Sequence, residues 1–258
     1  MRVESDNILE VTRAAGWARI RVNRPGVRNA ADTRTWEALL QAITTLGTAP
    51  DVKTLIITGR GDQAFMAGAD LREFPEILKS CESTLRYLKA IEAVLGAVES
   101  LDKPVIAEIN GAAMGGGLEL AVVCDYRLAV SSARVGIPSA NLGVGLAFKD
   151  VERLVALAGL ATARELLMFS RIFSAAEAQQ KGLIDEIVPH DRLAARAEEL
   201  AGEWAEKAPL SLKSAKYSFT ALMHGGDDSL KWRALQAIEE AWGSDELKNR
   251  VTRFLGRG

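Results

Sequence analysis

The chain reads as an α/β protein, and three features carry that reading. Short apolar runs rich in β-branched residues, such as Thr54-Leu55-Ile56-Ile57-Thr58-Gly59 and Val105-Ile106-Ala107-Glu108-Ile109, have the length and composition of buried strands. Between them, apolar residues recur at helical spacing, as in Trp36, Leu39, Leu40, Ile43 and Leu46. Beyond Pro189 the strands stop and only helical spacing remains. With 258 residues and 48% hydrophobic composition the chain can bury a sizeable core. The expected organisation is a main unit over 1–190 and a helical region over 191–258.

The elements follow in order. Alternating β-formers at 8–12 and 18–22 flank Gly16 and predict a hairpin. Asn23-Arg24-Pro25-Gly26 breaks the second strand, and Asp32 or Thr33 is placed to cap the helix that carries Trp36. After the strand at 54–59 come a helix over about 83–100, the strand at 105–109 and a helix opening after Gly115-Gly116-Gly117. A strand at 125–130 and helices at about 151–158, 161–168 and 175–181 lead to a last strand at 184–188. The final region reads as helices over 193–208, 210–223 and 229–242.

Composition excludes several function classes. A formal net charge of −2 supplies no summed positive field for nucleic acid or an anionic membrane. Met1-Arg2-Val3-Glu4-Ser5-Asp6 has no basic stretch leading into an apolar run, and no segment reaches the roughly 18 uncharged apolar residues of a membrane span. A cytoplasmic protein is expected. Cys81 and Cys124 match no metal or redox spacing and are expected as reduced packing residues. His190 and His224 sit in turn-like surroundings, too few for a His-rich metal site and unfavourable to a Ser-His-Asp triad.

The chemistry concentrates in 103–121, where a buried strand runs into Gly115-Gly116-Gly117 and a helix starts. Consecutive glycines let a ligand approach the backbone, and the unpaired amides of a helix N-terminus favour an oxyanion. Glu119 lies in the first turn, beside any group those amides hold. A purely structural reading competes, in which the glycines permit tight packing and Glu119 complements the helix dipole. A second small-residue stretch, Ala64-Phe65-Met66-Ala67-Gly68-Ala69-Asp70-Leu71, follows the 54–59 strand and tips the balance. Two loops, each giving one N–H to a single carbonyl oxygen, form an oxyanion hole able to stabilise a thioester enolate.

Met66-Ala67-Gly68-Ala69-Asp70, Lys103-Pro104-Val105-Ile106-Ala107, Asn110-Gly111, Gly115-Gly116-Gly117-Leu118-Glu119-Leu120-Ala121 and Cys124-Asp125 are similar to motifs of the enoyl-CoA hydratase/isomerase (crotonase) family. Asn23-Arg24-Pro25, Ser174-Ala175-Ala176-Glu177-Ala178 and Gly182-Leu183-Ile184 extend the resemblance to nearly the whole chain. It implies a crotonase-like spiral of ββα units holding the active site, with a C-terminal helical region that builds trimers, often paired into hexamers. The implied activity is that of an enoyl-CoA hydratase-like acyl-CoA lyase. Backbone amides of Ala69 and Gly116 would hold the thioester oxygen, and Glu119 would act as acid/base. Ala67, Gly68, Asp70, Gly115, Gly117, Pro138 and Ser139 complete the implied substrate contacts, with CoA phosphates near Arg24 and Arg28. Coenzyme A is then part of the substrate, and no separate cofactor or metal is implied. Arg257, in Arg253-Phe254-Leu255-Gly256-Arg257, falls where the family has a lysine that reaches a neighbouring subunit's CoA; a frayed, solvated end is the competing reading.

The chain also departs from that pattern. A two-acid hydratase carries a second glutamate directly after the proline of Val135-Gly136-Ile137-Pro138-Ser139-Ala140-Asn141-Leu142-Gly143, and here Ser139 stands in its place. A serine hydroxyl is no carboxylate base at neutral pH. Leu146-Ala147-Phe148-Lys149-Asp150 replaces an expected Pro-Gly-Ala-Gly-Gly run. Either Lys149 or Asp150 takes over the acid function, or both point outward and cap a helix beginning near Val151; the N-cap preference of Asp favours the second. The loss leaves open a single-acid isomerase, another enolate reaction such as decarboxylation or thioester hydrolysis, and an acyl-CoA-binding protein with little turnover. The helix N-terminus favours an ionised Glu119 while desolvation opposes it.

Overall fold

The hairpin expected around Gly16 forms from β1 (Leu9–Ala14) and β2 (Gly16–Val22), antiparallel from Leu9 opposite Val22 to Ala14 opposite Trp17. It opens a computed structural model that describes residues 8–256. Asp32 caps α1 (Thr33–Thr48) by accepting the Thr35 N–H at 2.9 Å, and α1 buries Trp36, Leu39, Ile43 and Leu46 as the spacing predicts. There follow β3 (Val52–Gly59), β4 (Ala64–Met66), α2 (Phe74–Ile77) and α3 (Cys81–Glu99). Next come β5 (Val105–Ile109), β6 (Ala112–Met114), α4 (Gly116–Val122), β7 (Tyr126–Val130), β8 (Arg134–Gly136), α5 (Ser139–Leu142) and α6 (Phe148–Met168). The chain continues through β9 (Ile172–Ser174), α7 (Ala175–Gln180), β10 (Glu186–Val188), α8 (Leu193–Ala205), α9 (Pro209–Met223), α10 (Asp228–Gly243) and α11 (Asp245–Leu255).

Two sheets organise these elements. The larger has the order β1-β2-β3-β5-β7-β10 and is parallel from β2 onward; the smaller has the order β4-β6-β8-β9. Each turn of chain lays one long strand in the first sheet, one short strand in the second, and then a helix, which is the spiral of ββα units. The long strands are apolar on both faces because both are covered. The short strands span three residues each, too few to show a period, so they were not legible as strands.

Several expectations need correcting. Helix α4 starts inside the glycine run, with Gly115 as its cap, and not after Gly117. The helices expected at 151–158 and 161–168 form one run broken at Gly159 (φ 78°, ψ 160°), and it begins earlier, at Phe148. Asp150 therefore sits within the first turn and not at the N-cap, which is Ala147. Cys124 is buried, but Cys81 is exposed at the start of α3 and packs no core. Residues around Arg253 continue α11, a helix the apolar spacing did not reveal because little of it is buried.

Helix α8 covers the larger sheet and buries Leu193, Ala197, Leu200 and Ala201 in the main core. Helices α9 and α10 pack on each other around Tyr217, Ala234 and Ala237. Their outer faces, with α11, leave Leu222, Trp232, Trp242 and Phe254 mostly exposed. Among the described residues, no helix is long and apolar enough to cross a membrane.

Candidate active site

The loop after β4 is pinned by a single parallel bridge between Ala31 and Ala69. Ala31 N–H donates to Gly68 O at 2.8 Å, and Asp70 N–H donates to Ala31 O at 2.9 Å. Because backbone groups alternate sides along an extended segment, the N–H of Ala69 points away from Ala31. It finds no backbone acceptor among the described residues.

The second loop lies directly against the first. Gly68 has φ +92°, and a Cβ there would stand 2.9 Å from Met114 O and 3.7 Å from Gly115 Cα. A Cβ on Gly117 would stand 2.3 Å from Met66 O, so α4 seats on β4 with no room for a side chain. Gly115 N–H is held by Gly136 O at 2.9 Å, whereas Gly116 N–H, at the start of α4, has no backbone acceptor among the described residues. A Cβ added to either Gly68 or Gly115 would meet the other's Cα at 3.7 or 3.8 Å; Ala69 and Gly116 each follow one of these glycines, and each presents an amide with no backbone acceptor among the described residues. Glu119 follows on the first turn of α4; its carboxylate takes part in no hydrogen bond or ion pair among the described residues. Part of its surface stays open while protein surrounds the rest. Burial, reinforced by the charge of Asp150 and opposed by Arg153, pushes its pKa up to about 8.

Comparison with known proteins decides the kinship. The family model described as enoyl-CoA hydratase/isomerase matches residues 12–257. This chain belongs to that family. It is 35% identical over 239 residues to a crotonyl-CoA hydratase from Syntrophomonas wolfei, covering 91% of this chain and 89% of the relative. A 2,3-dehydroadipyl-CoA hydratase from Escherichia coli is 33% identical, with 76% of this chain and 74% of the relative covered. Among solved structures, an enoyl-CoA hydratase/carnithine racemase from Magnetospirillum magneticum aligns with a TM-score of 0.90 at 29% identity, over 98% of this chain and 94% of the other. An enoyl-CoA hydratase from Bacillus anthracis aligns at 0.88 and 30%, covering 97% and 96%. The crotonase spiral expected from the motifs is thereby established.

The other residues singled out in the sequence divide. Ala67 N–H is tied to Arg28 O at 3.1 Å, and the exposed Arg28 guanidinium has no ion pair among the described residues. Arg24 does not stand free for a phosphate. Its guanidinium bonds Asp70 and Asp32 at 3.0 Å each, and also Ala30 O. Asp70 is buried and gripped by Arg72 and Arg24; the hydrogen bonds from Arg72 hold its carboxyl well below the usual range. Both residues brace the loop. Pro138 caps α5, and Ser139 opens it half-buried, with no hydrogen bond to its hydroxyl among the described residues. Lys149 turns outward to Glu92 at 3.1 Å, as expected, but Asp150 turns inward to Arg153 at 2.9 Å and is buried. Arg257 lies outside the described residues.

Sequence reasoning missed three contributors. Trp36 was read as core, yet its ring lies beneath Gly116, where a Cβ would come within 3.0 Å of Cζ2. Its Nε1 and the Tyr87 hydroxyl are buried without an aligned hydrogen-bond partner. Burial pushes the Tyr87 pKa up to about 12, against a nearby Trp36 indole that lowers it and with Glu73 and Glu119 adding to the rise. Arg153, fully buried and forked to Glu99, anchors the wall behind Asp150. Only its position on the apolar face of α6 marked it as unusual.

Proposed function

We propose that this chain hydrates a 2-enoyl-CoA thioester, with the amides of Ala69 and Gly116 on the thioester oxygen and Glu119 as the acid/base. The observation that supports the reading is the close approach of the Gly68 and Gly115 backbones, since each glycine is followed by an amide without a backbone acceptor among the described residues and the unpartnered carboxyl of Glu119 follows in the first turn of α4. Removing one such oxyanion donor costs about 10²–10³ in rate in enzymes where it has been tested. With its pKa near 8, Glu119 is about ten parts neutral to one ionised at pH 7. It can therefore deliver the proton that Cα takes up when the enolate collapses. Hydratase names among the relatives support hydration over isomerisation.

Coenzyme A enters as part of the substrate, with no separate cofactor. The core over 1–190 holds the chemistry in this reading. The exposed apolar faces of α9 to α11 support an oligomerising role for 191–258, in a trimer or a dimer of trimers.

Ser139 favours a second reading, single-acid isomerisation, in which ionised Glu119 moves a proton from C2 to C4. Incubation with crotonyl-CoA and with a 3-enoyl-CoA separates them through the absorbance of the conjugated thioester. Loss with the first marks hydration, and gain with the second marks isomerisation. Binding without either marks a non-catalytic protein. Glu119→Gln is expected to lower the rate about 10²–10⁴-fold while CoA affinity stays within about three-fold. Full activity in that variant overturns the assignment.

A further inference from the structure

Addition of water needs a group to take the water's proton, and Ser139 has no base beside it. We propose that Asp150 is that group: the second carboxylate of the site, accepting the proton of the attacking water while Glu119 protonates Cα. The inference rests on the hydration reading and completes it.

Asp150, Arg153 and Leu154 sit at i, i+3 and i+4 of α6 and form its buried face near the helix start, on a helix packed against α4, which carries Glu119. Lys149 and Glu152 turn the other way. Together with Glu92, Glu99 and His224 they line a cavity of about 540 Å³, to which Asp150 contributes nothing. The charge of Asp150 instead reaches Glu119, where it adds to burial in holding that carboxyl's proton.

Neutralising Arg153 does not account for Asp150. Arg153 already forks onto Glu99, Nε to Oε1 at 2.9 Å and Nη2 to Oε2 at 2.7 Å, and bonds Glu92 at 2.8 Å. A further buried carboxylate beside a matched guanidinium is unfavourable for stability alone. Arg153 engages only Oδ1 of Asp150, and the backbone N–H of Ala147, at the N-cap of α6, approaches the same carboxylate without an aligned hydrogen bond, which leaves Oδ2 with capacity to accept a proton. Burial raises the Asp150 pKa and Arg153 opposes the rise, which suits a base.

The step balances. An O–H bond of water breaks, its proton goes to Asp150 Oδ2, and the oxygen bonds to Cβ. The Cα=Cβ electron pair moves into the enolate, whose oxygen the two amides hold. The carbonyl then reforms as Cα takes the proton of Glu119. One water has been added, and the proton on Asp150 returns to Glu119 through solvent.

Asp150→Asn keeps an acceptor for Arg153 and isolates the charge. Steady-state hydration of crotonyl-CoA is measured against pH for the natural protein, Asp150→Asn, Asp150→Glu, and Asp150→Asn combined with Ser139→Glu. The expected result for Asp150→Asn is a kcat about 10²-fold lower with KM little changed and the acid limb of the pH profile gone. Asp150→Glu should keep that limb, and Ser139→Glu should restore part of the lost rate. The proposal is overturned by a kcat within about two-fold of the natural protein. It is equally overturned by a loss that leaves the acid limb in place and that Ser139→Glu does not relieve, since Asp150 then only supports Arg153. A natural protein that binds crotonyl-CoA without hydrating it removes the hydration reading and this inference together. Hydration that survives in Asp150→Asn removes this inference alone.

Discussion

Replacing Gly117 with Ala tests the contact on which the site depends. The added Cβ would stand 2.3 Å from Met66 O and 2.9 Å from Met66 Cβ, whereas ordinary contact begins near 3.4 Å. The obstacle at 2.3 Å is backbone of a buried strand, so no side-chain rotation relieves it. Either α4 or β4 must move by about 1 Å, the difference of those distances. Overpacking of this kind costs about 1–3 kcal/mol. The same shift separates Gly116 and Glu119 on α4 from Ala69, and a misplacement of about 1 Å costs about 10²-fold in rate. The assay pairs urea unfolding with kcat/KM for crotonyl-CoA. Gly202→Ala serves as the control, since nothing lies within 4 Å of a Cβ there and the residue is inside α8; it is expected to stabilise by about 0.5–1 kcal/mol. A folded Gly117→Ala protein with kcat/KM within about three-fold of the natural chain refutes the idea that this seating positions the amides.

Two further outcomes concern stability. The folded pKa of Glu119 is raised from 4.5 to about 8, so the protonated form is the one folding favours. Its contribution is complete below the unfolded pKa near 4.5 and is lost as pH rises through about 8, at a ceiling of about 1.4 kcal/mol per pH unit between them. Glu119→Gln is therefore expected to be more stable than the natural protein above pH 8, with urea midpoints that vary less from pH 5 to pH 9; an unchanged pH dependence contradicts a buried carboxyl. Arg153→Met removes the cation shared by Glu92, Glu99 and Asp150 and is expected to destabilise by about 3–5 kcal/mol, read from the same urea curves. A loss below about 1 kcal/mol would mean that water compensates those carboxylates.

The long elements were legible because their patterns are local. Trp36, Leu39, Ile43 and Leu46 recur at the helical period, and the buried strand at Val105–Ile109 is a continuous apolar run. Gly16 and Asp32 carried the turn and cap chemistry that their positions require. The two candidate oxyanion loops stood out for the same reason, since small residues in sequence announce close backbone approach. Arg24 and Asp70 show the limit: each looks like a ligand contact in sequence, and together they form a brace. Nothing local distinguishes a charge that meets a phosphate from one that meets a neighbouring loop.

Sequence alone thus determined the α/β class, the positions of the main helices and strands, the glycine loops and the place of Glu119 in the first turn of α4, all of which depend on residues within a few positions of one another. Tertiary structure decided what depends on distance across the chain. It brought Gly68 close to Gly115, set the Trp36 ring beneath Gly116, and turned Asp150 inward onto Arg153 within the first turn of α6 instead of leaving it at the N-cap. It also raised the pKa of Glu119, because desolvation is imposed by every element packed around the carboxyl and no local pattern records it.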